Sequence, residues 1–309
     1  MSRNKIVVLA TGGTLAGTAA DPGDNIGYRA AQLGIEHLLA SIPALRGLPL
    51  EAEQVAQIDS KDMSLEIWRA LALRCGHWLA RDDVAGLVIT HGTDTLEETA
   101  FFLQSVLAPD KPVVLTAAMR PATALLADGP QNIVDSVAVA SSPGARGVVA
   151  VCAGVIHSAF DVVKQHSYRL DAFSSGDAGA IGYVEEGRVR LLRDWPAGTP
   201  KPVLLDALAG VRSWPRVEIV MSHAGAGRGV VDALVGQGVG GLVVAATGNG
   251  TVHQELEAAL REAQARGVKV LRATRCAQGR ILARPGDGLP DAGALSPVKA
   301  RIALLLDLL

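Results

Sequence analysis

Cysteine is scarce in this sequence, and long apolar runs and basic clusters are absent. The three cysteines are odd in number and form no CxxC pair, so they favour neither a disulfide framework nor a zinc site. No stretch reaches the roughly 18 uninterrupted apolar residues that a membrane-spanning helix needs. The net charge is −2 and no block of lysine or arginine occurs, so the composition favours no nucleic-acid partner.

The beginning of the chain has no sign of an export signal. Its first residues lead straight into the apolar run 6–10, which a glycine turn follows. A secretory signal peptide has a longer apolar core and a cleavage site of small residues. Together with the cysteine pattern, this start predicts a cytoplasmic protein.

Apolar residues make up 49% of the chain, and glycine contributes 34 residues. Many apolar residues lie in short runs, such as 6–10 and 241–246, which are typical of buried strands in a parallel sheet. Segments with a helical period, such as 65–80 and 96–107, lie between such runs. This alternation predicts an α/β fold with mostly parallel sheets covered by helices.

The alternation stops between residues 194 and 213, where prolines and glycines cluster, and it restarts afterwards. We therefore expect two α/β domains, a larger N-terminal one (1–193) and a smaller C-terminal one (214–309), joined by a linker (194–213). The last helix should begin at Pro297, with Ser296 as its N-cap.

Ligands of open parallel sheets bind beyond the carboxyl ends of the strands, so polar residues there are candidates for catalysis. The first candidate is Thr14, which follows a Gly-Gly turn at the end of the first strand. Paired glycines let the backbone turn sharply and present N–H groups to an anion or a carbonyl oxygen. On these residues alone, a phosphate-binding turn or an ordinary tight turn is the simpler explanation.

Two further strand ends carry such side chains. Residues 90–95 (THGTDT) precede a predicted helix, and spacing does not decide whether Asp94 and Thr95 are catalytic or cap that helix. Lys164 lies in an apolar neighbourhood, where a lysine usually extends its charge to the surface. If it is buried beside hydroxyl groups, desolvation lowers its pKa and makes it a usable base.

These residues suit the attack of a hydroxyl group on a carbonyl carbon. A threonine hydroxyl needs a partner that takes its proton, and the oxyanion that forms needs N–H donors. The glycine turn before Thr14 offers the donors, and Tyr28, Thr93 and Lys164 are candidate proton acceptors. The histidines lack metal-ligand spacing, and the turn lacks the third glycine of a dinucleotide-binding motif.

Several segments resemble, in order, the signature segments of the bacterial-type L-asparaginases. They are residues 10–17 (ATGGTLAG), 89–100 (ITHGTDTLEETA), 118–121 (AMRP), 127–132 (ADGPQN), 161–164 (DVVK) and 247–251 (TGNGT). Two of these motifs are highly specific, and the chance that so many long motifs occur together by accident is negligible. The chain is therefore identified as a member of the asparaginase/glutaminase family, from about residue 5 to the last helix.

The resemblance implies hydrolysis of L-asparagine to L-aspartate and ammonia, with Thr14 as the nucleophile. Tyr28, on a flexible lid, would orient or deprotonate Thr14, while Thr93, Asp94 and Lys164 would activate a nucleophile or water. Ser60 and Asp94 would hold the α-carboxylate and the α-ammonium of the substrate, and the carbonyl of Ala118 would accept a hydrogen bond from its amide. The implied substrate-binding positions are Gly13, Ser60, Lys61, Gly92, Thr93, Asp94, Ala118, Asn249 and Asp287.

The resemblance also implies a larger and a smaller α/β domain assembled as a homotetramer of intimate dimers. Asn249 and Asp287 would then complete the site of a neighbouring subunit. No metal or organic cofactor is implied.

The chain departs from exported members of the family at several positions. They usually have glutamine in place of Lys61, glutamate in place of Asp287 and asparagine in place of Thr251. A lysine that points inward would repel the substrate's ammonium group, since like charges ~4 Å apart cost on the order of 4 kcal/mol at an effective dielectric near 20. The alternative, which we favour, is that Lys61 points outward and pairs with Asp59, Asp62 or Asp287.

Other functions compete with this hypothesis. A dual glutaminase–asparaginase is the second choice, because Thr251 resembles the small hydroxyl residue of that branch. A weakly active homologue that binds amino acids is disfavoured by the complete set of catalytic residues. The subunit of a tRNA-dependent amidotransferase would need an additional N-terminal domain before the first strand.

Overall fold

The computed structural model describes residues 5–198, 202–284 and 286–309. The first four residues, on which part of the export argument rests, and residues 199–201 of the predicted linker lie outside these ranges. The chain divides into two compact units, which meet in sequence between Leu205 and Asp206.

The first unit is built on an eight-stranded mixed sheet with the strand order β10-β9-β6-β5-β4-β3-β1-β2. The neighbouring strands β5, β4, β3, β1 and β2 run parallel to one another. The strands β6, β9 and β10 extend the sheet beyond β5 through antiparallel pairs. A separate pair, β7 and β8, is antiparallel. The strands are β1 (Lys5–Gly12), β2 (Leu50–Ile58), β3 (Val84–Thr90), β4 (Pro112–Thr116), β5 (Gly147–Cys152), β6 (Val155–Ser158), β7 (Val163–Lys164), β8 (Phe173–Ser174), β9 (Gly182–Glu185) and β10 (Arg188–Leu191).

Among the described residues, the α-helices that lie wholly within the first unit are α1 (Ile35–Ala40), α2 (Leu65–Leu79), α3 (Leu96–Leu107) and α4 (Gly129–Ala140). Their apolar faces are buried because β1, β3, β4 and β5 are themselves apolar almost throughout and need cover on both faces. Ser64 caps α2 by accepting a hydrogen bond from the backbone N–H of Ile67, at 3.3 Å. Pro130 occupies the first turn of α4, where its missing N–H costs no helical hydrogen bond.

The second unit has a three-stranded parallel sheet in the order β11-β12-β13. Its strands are β11 (Val217–Met221), β12 (Gly241–Ala246) and β13 (Lys269–Thr274), and its helices are α6 (Gly229–Gly236), α7 (Gln254–Ala265) and α8 (Pro297–Asp307). The helix α5 (Pro202–Gly210) precedes them. Ser296 accepts a hydrogen bond from the N–H of Lys299, which confirms the predicted cap of the last helix.

The predicted α/β class with mostly parallel sheets is confirmed, but several elements were not predicted. The stretch predicted as a linker contains α5, whose apolar residues follow a cluster of prolines that hides the helical period. The antiparallel strands β9 and β10 were not predicted. They are short and carry few buried residues, and they connect through Glu186 and Gly187, both with positive φ. Within the described ranges, no helix is long and apolar enough to cross a membrane.

Candidate active site

The candidate site begins where β1 and β3 end. These neighbouring strands are parallel, and Ala10 pairs with Thr90, so the residues that follow them lie at the same edge of the sheet. Gly13 and Thr14 follow β1, and the segment from His91 to Thr95 follows β3.

Thr14 begins a short 3-10 helix (Thr14–Ala16) and is only 6% exposed. Gly13 before it has φ +82°, a conformation that side chains disfavour. The hydroxyl groups of Thr14 and Tyr28 are 2.6 Å apart. Tyr28 returns to Thr14 because its segment folds back on itself, with Thr18 and Arg29 paired through their backbones.

A second hydroxyl group belongs to a three-residue set. The ammonium nitrogen of Lys164 donates hydrogen bonds to Thr93 Oγ1, at 2.8 Å, and to Asp94 Oδ1, at 2.6 Å. Thr93 is buried, and the Lys164 side chain is 18% exposed. Lys164 therefore does not extend freely into solvent, which was the simpler alternative.

Glycine brings the two sets together. A Cβ atom added to Gly13 would lie 2.5 Å from both Cα and N of Gly92, so only glycine lets the two loops approach this closely. A Cβ atom on Gly92 would lie 2.4 Å from Ser60 Oγ. Thr14, Thr93 and Ser60 thus lie on three segments that meet at Gly92.

Ser60 ties its own turn to the loop after β3. Its hydroxyl oxygen accepts a hydrogen bond from the N–H of Asp94 at 3.2 Å, and its carbonyl accepts one from the hydroxyl of Thr95 at 2.8 Å. Thr95 stands at the N-cap of α3 without a side-chain capping bond. The capping alternative is therefore wrong for Thr95, and Asp94 is bonded to Lys164 instead.

His91 is completely buried within a chain of hydrogen bonds. Trp68 Nε1 donates to Thr99 Oγ1 at 2.8 Å, Thr99 Oγ1 lies 2.9 Å from His91 Nε2, and His91 Nδ1 lies 2.7 Å from the carbonyl oxygen of Gly92. That carbonyl only accepts, so Nδ1 carries the proton and Nε2 accepts from Thr99. Burial lowers the pKa of His91 to about 4, which keeps the ring neutral.

Lys61 points outward. Its ammonium nitrogen lies 2.9 Å from Asp59 Oδ2 and 3.4 Å from Asp62 Oδ2, and its side chain is 62% exposed. The pKa of Lys61 is raised, mainly by its hydrogen bond to Asp59. This is the outward orientation, paired with nearby aspartates, that we favoured from the sequence. It argues against the substrate-binding role that the resemblance implies for Lys61.

Asn249 and Asp287 lie in the second unit, where both line a cavity of ≈ 380 Å³. The side-chain amide of Asn249 exchanges two hydrogen bonds with the backbone of Leu282, at 2.7 and 3.1 Å. Asp287 accepts from the N–H of Arg284 and from the guanidinium of Arg272, and these bonds lower its pKa. Across the described ranges, no group of three or more His, Cys, Asp and Glu residues is arranged to hold a metal ion.

Comparison with known proteins agrees with these motifs. Residues 5–197 match the family described as "Asparaginase, N-terminal", and residues 216–308 match "Glutaminase/Asparaginase C-terminal domain". The chain is 36% identical to L-asparaginase 2 of Bacillus subtilis, over 98% of this chain and 82% of that protein. It is 38% identical to a glutaminase-asparaginase of Pseudomonas fluorescens, over 98% of this chain and 86% of that protein.

A solved structure supports the same relationship. The crystal structure of a probable cytoplasmic L-asparaginase from Campylobacter jejuni superposes with a TM-score of 0.91 at 38% identity, over 98% of this chain and 94% of that one. Both domain matches, the identities over nearly the whole chain and this shared fold agree: the chain belongs to the asparaginase family.

Proposed function

We propose that this protein hydrolyses L-asparagine to L-aspartate and ammonia, with Thr14 as the nucleophile. The observation that carries the proposal is the contact between Gly13 and Gly92, because it brings the Thr14–Tyr28 pair and the Thr93–Lys164 pair to one place. Membership of the asparaginase family and relatives named as asparaginases support the amide of asparagine as the substrate group.

The proposed reaction has two steps. Thr14 Oγ1 attacks the side-chain carbonyl carbon, while its proton passes to the oxygen of Tyr28, which hands its own proton on towards the leaving nitrogen. The C–N bond breaks, ammonia leaves and an aspartyl ester of Thr14 remains. Water activated by the set of Thr93, Asp94 and Lys164 then cleaves this ester and restores the Thr14 hydroxyl.

The proposed substrate contacts come from residues that lie just beyond the carboxyl ends of the strands. Ser60 and Asp94 hold the α-carboxylate and the α-ammonium, the backbone around Gly13, Gly92 and Thr93 surrounds the reacting carbonyl, and Ala118 accepts from the amide. We leave Lys61 out of this set because its charge is paired and exposed.

Glutamine is a second candidate substrate. The Pseudomonas fluorescens relative is named a glutaminase-asparaginase. Thr251 resembles the small hydroxyl residue that the glutaminase–asparaginase branch has at this position. A steady-state comparison of L-asparagine, D-asparagine and L-glutamine, measured by ammonia release, decides between the two activities.

Assembly and location are further parts of the proposal. We infer a homodimer or homotetramer in which Asn249 and Asp287 reach the site of a neighbouring subunit. We also infer a cytoplasmic location, which the Campylobacter jejuni relative supports, although a relative from Haemophilus influenzae is named as periplasmic.

The test of the nucleophile is a pair of substitutions at Thr14. Thr14→Ala should lower kcat by at least about a thousandfold, because the remaining residues only bind and polarise the substrate. Thr14→Ser, the matched control, keeps a hydroxyl group and should retain measurable turnover. Ammonia release near the wild-type rate from a folded Thr14→Ala protein would refute the assignment.

A further inference from the structure

The carbonyl group of Ala118 is buried and has no partner among the described residues. Ala118 follows β4 and is 1% exposed, and no residue that the structure describes donates a hydrogen bond to its carbonyl oxygen. A Cβ atom on Gly129 would lie 3.1 Å from Leu15 and 3.5 Å from Ala118, so Ala118 lies beside the segment of Thr14. Buried carbonyl groups are normally bonded, and a free one beside a reactive hydroxyl suits an N–H group of a ligand.

Asp128 fixes the peptide group that contains this carbonyl. Its carboxylate accepts hydrogen bonds from the backbone N–H of Met119 and of Arg120, both at 3.0 Å. The Ala118 carbonyl and the Met119 N–H belong to one planar trans peptide group and point in opposite directions. Holding the N–H therefore determines the direction of the carbonyl.

Asp128 makes these bonds instead of capping its helix. It occupies the N-cap position of α4, where an aspartate usually accepts a hydrogen bond from the first turn, yet its side chain makes no capping bond. The carboxylate is turned towards the loop after β4.

Asn132, one turn further along α4, holds the preceding peptide group. Its Nδ2 donates to the carbonyl of Ala117 at 2.8 Å and to Asp128 at 3.2 Å, and its Oδ1 accepts from the N–H of Ala153 at 2.9 Å. Since Ala117 offers only an acceptor and Ala153 only a donor, the amide has one possible orientation. Asn132 is 3% exposed, so water does not replace these bonds easily.

We propose that Asp128 and Asn132 are positioning residues that aim the Ala118 carbonyl at the leaving nitrogen and so favour amides over esters. The inference rests on the proposed function. An amide nitrogen brings an N–H donor to this carbonyl, whereas the leaving oxygen of an ester brings only lone pairs, which the carbonyl repels. A rigid acceptor thus selects for the amide, in the way that sites built for one hydrogen bond reject analogues without it.

The test compares two substrates, L-asparagine and the β-methyl ester of L-aspartate. Asp128→Asn leaves one acceptor oxygen for two N–H groups and turns an NH₂ towards a donor. We expect its kcat/KM to fall at least about tenfold for asparagine and less than about threefold for the ester. Asn132→Ser, which loses the bond to Ala117, should show the same trend if Asp128→Asn does not fold.

Asp135→Asn is the matched control, because Asp135 lies on the same helix and bonds to Gln131 rather than to the loop. Both substrates should react with this variant at the wild-type ratio. Equal losses for amide and ester in the Asp128 and Asn132 variants would overturn the positioning role and leave only a structural one.

An inactive wild-type protein would refute the proposed function but not yet the inference. In that case a crystal structure of Asp128→Asn decides, because the Ala118 carbonyl should turn away from its wild-type direction. An unchanged carbonyl would overturn the inference whatever the activity.

Discussion

The charge of Lys61 is neutralised within its own turn. The carboxylates of Asp59 and Asp62 flank its ammonium group, and Asp59 also accepts a hydrogen bond from the N–H of Lys61. A paired and exposed charge in high dielectric contributes little to interactions several ångströms away. The outward geometry therefore removes the repulsion that an inward lysine would impose on an ammonium-bearing substrate.

We accordingly predict that Lys61→Gln changes the KM for asparagine by less than about twofold, with kcat unchanged. The reason is that a charge which does not interact with the substrate affects neither substrate binding nor the transition state. Michaelis–Menten curves at pH 7.5 measure this, with Lys269→Gln, an exposed lysine of β13, as the control. A lower KM would mean that the charge reaches the site, and a higher KM would make Lys61 a ligand.

Spacing and residue type located part of the site. The polar residues around Thr14 and Thr93 could be predicted to lie together, because they end two apolar runs and the ends of parallel strands meet. Tyr28 was one of several candidate proton acceptors, and its pairing with Thr14 came only from the family resemblance, since no local pattern predicts that residues 18 and 29 pair. The tie between Asp128 and the loop after β4 was equally hidden, because aspartate before a helix normally indicates a cap.

At the scale of elements, prediction succeeded where strands are fully buried. The bounds of α3 and β12 agree with the predicted segments 96–107 and 241–246, since apolar runs with clear ends have few alternative structures. It missed β2 (LEAEQVAQI), an edge strand that is only partly buried and carries acidic residues. It also missed α1, whose six residues are too few to display a helical period.

At the scale of the whole molecule, we predict that the protein is a dimer or tetramer in solution. The family resemblance implies that Asn249 and Asp287 meet a neighbouring subunit, and each unit exposes large apolar side chains that such an interface would remove from water, including Leu125 (85% exposed) and Leu126 (74%) in the first and Met221 (55%) and Leu282 (60%) in the second. Gel filtration with light scattering should give two or four times the chain mass. An active monomer whose specific activity does not change on dilution would contradict the proposal that Asn249 and Asp287 contribute to the active site of a neighbouring subunit.

Two buried histidines link the stability of the first unit to pH. Burial lowers the pKa of His91 to about 4, and burial together with the charge of Arg193 lowers that of His157 to about 4. In the unfolded chain a histidine has a pKa near 6.5, so between about pH 4 and 6.5 the unfolded state binds more protons than the folded state. Their contribution to stability is therefore complete above about pH 6.5 and is lost as the pH falls towards 4.

We predict that the melting temperature falls as the pH drops from about 6.5 to 4 and that His157→Asn removes roughly half of this dependence. Over this pH range each histidine lowers the free energy of unfolding by roughly 3 kcal/mol, because a difference of one pKa unit between the folded and unfolded states is worth about 1.4 kcal/mol. Asparagine keeps a polar partner for Ser175, which lies 2.9 Å from His157 Nδ1, but does not titrate. Differential scanning calorimetry at half-unit pH steps measures the slope, with the exposed His37→Asn as control. Equal slopes for the wild type and His157→Asn would show that other groups, such as carboxylates that titrate below pH 4, govern acid unfolding.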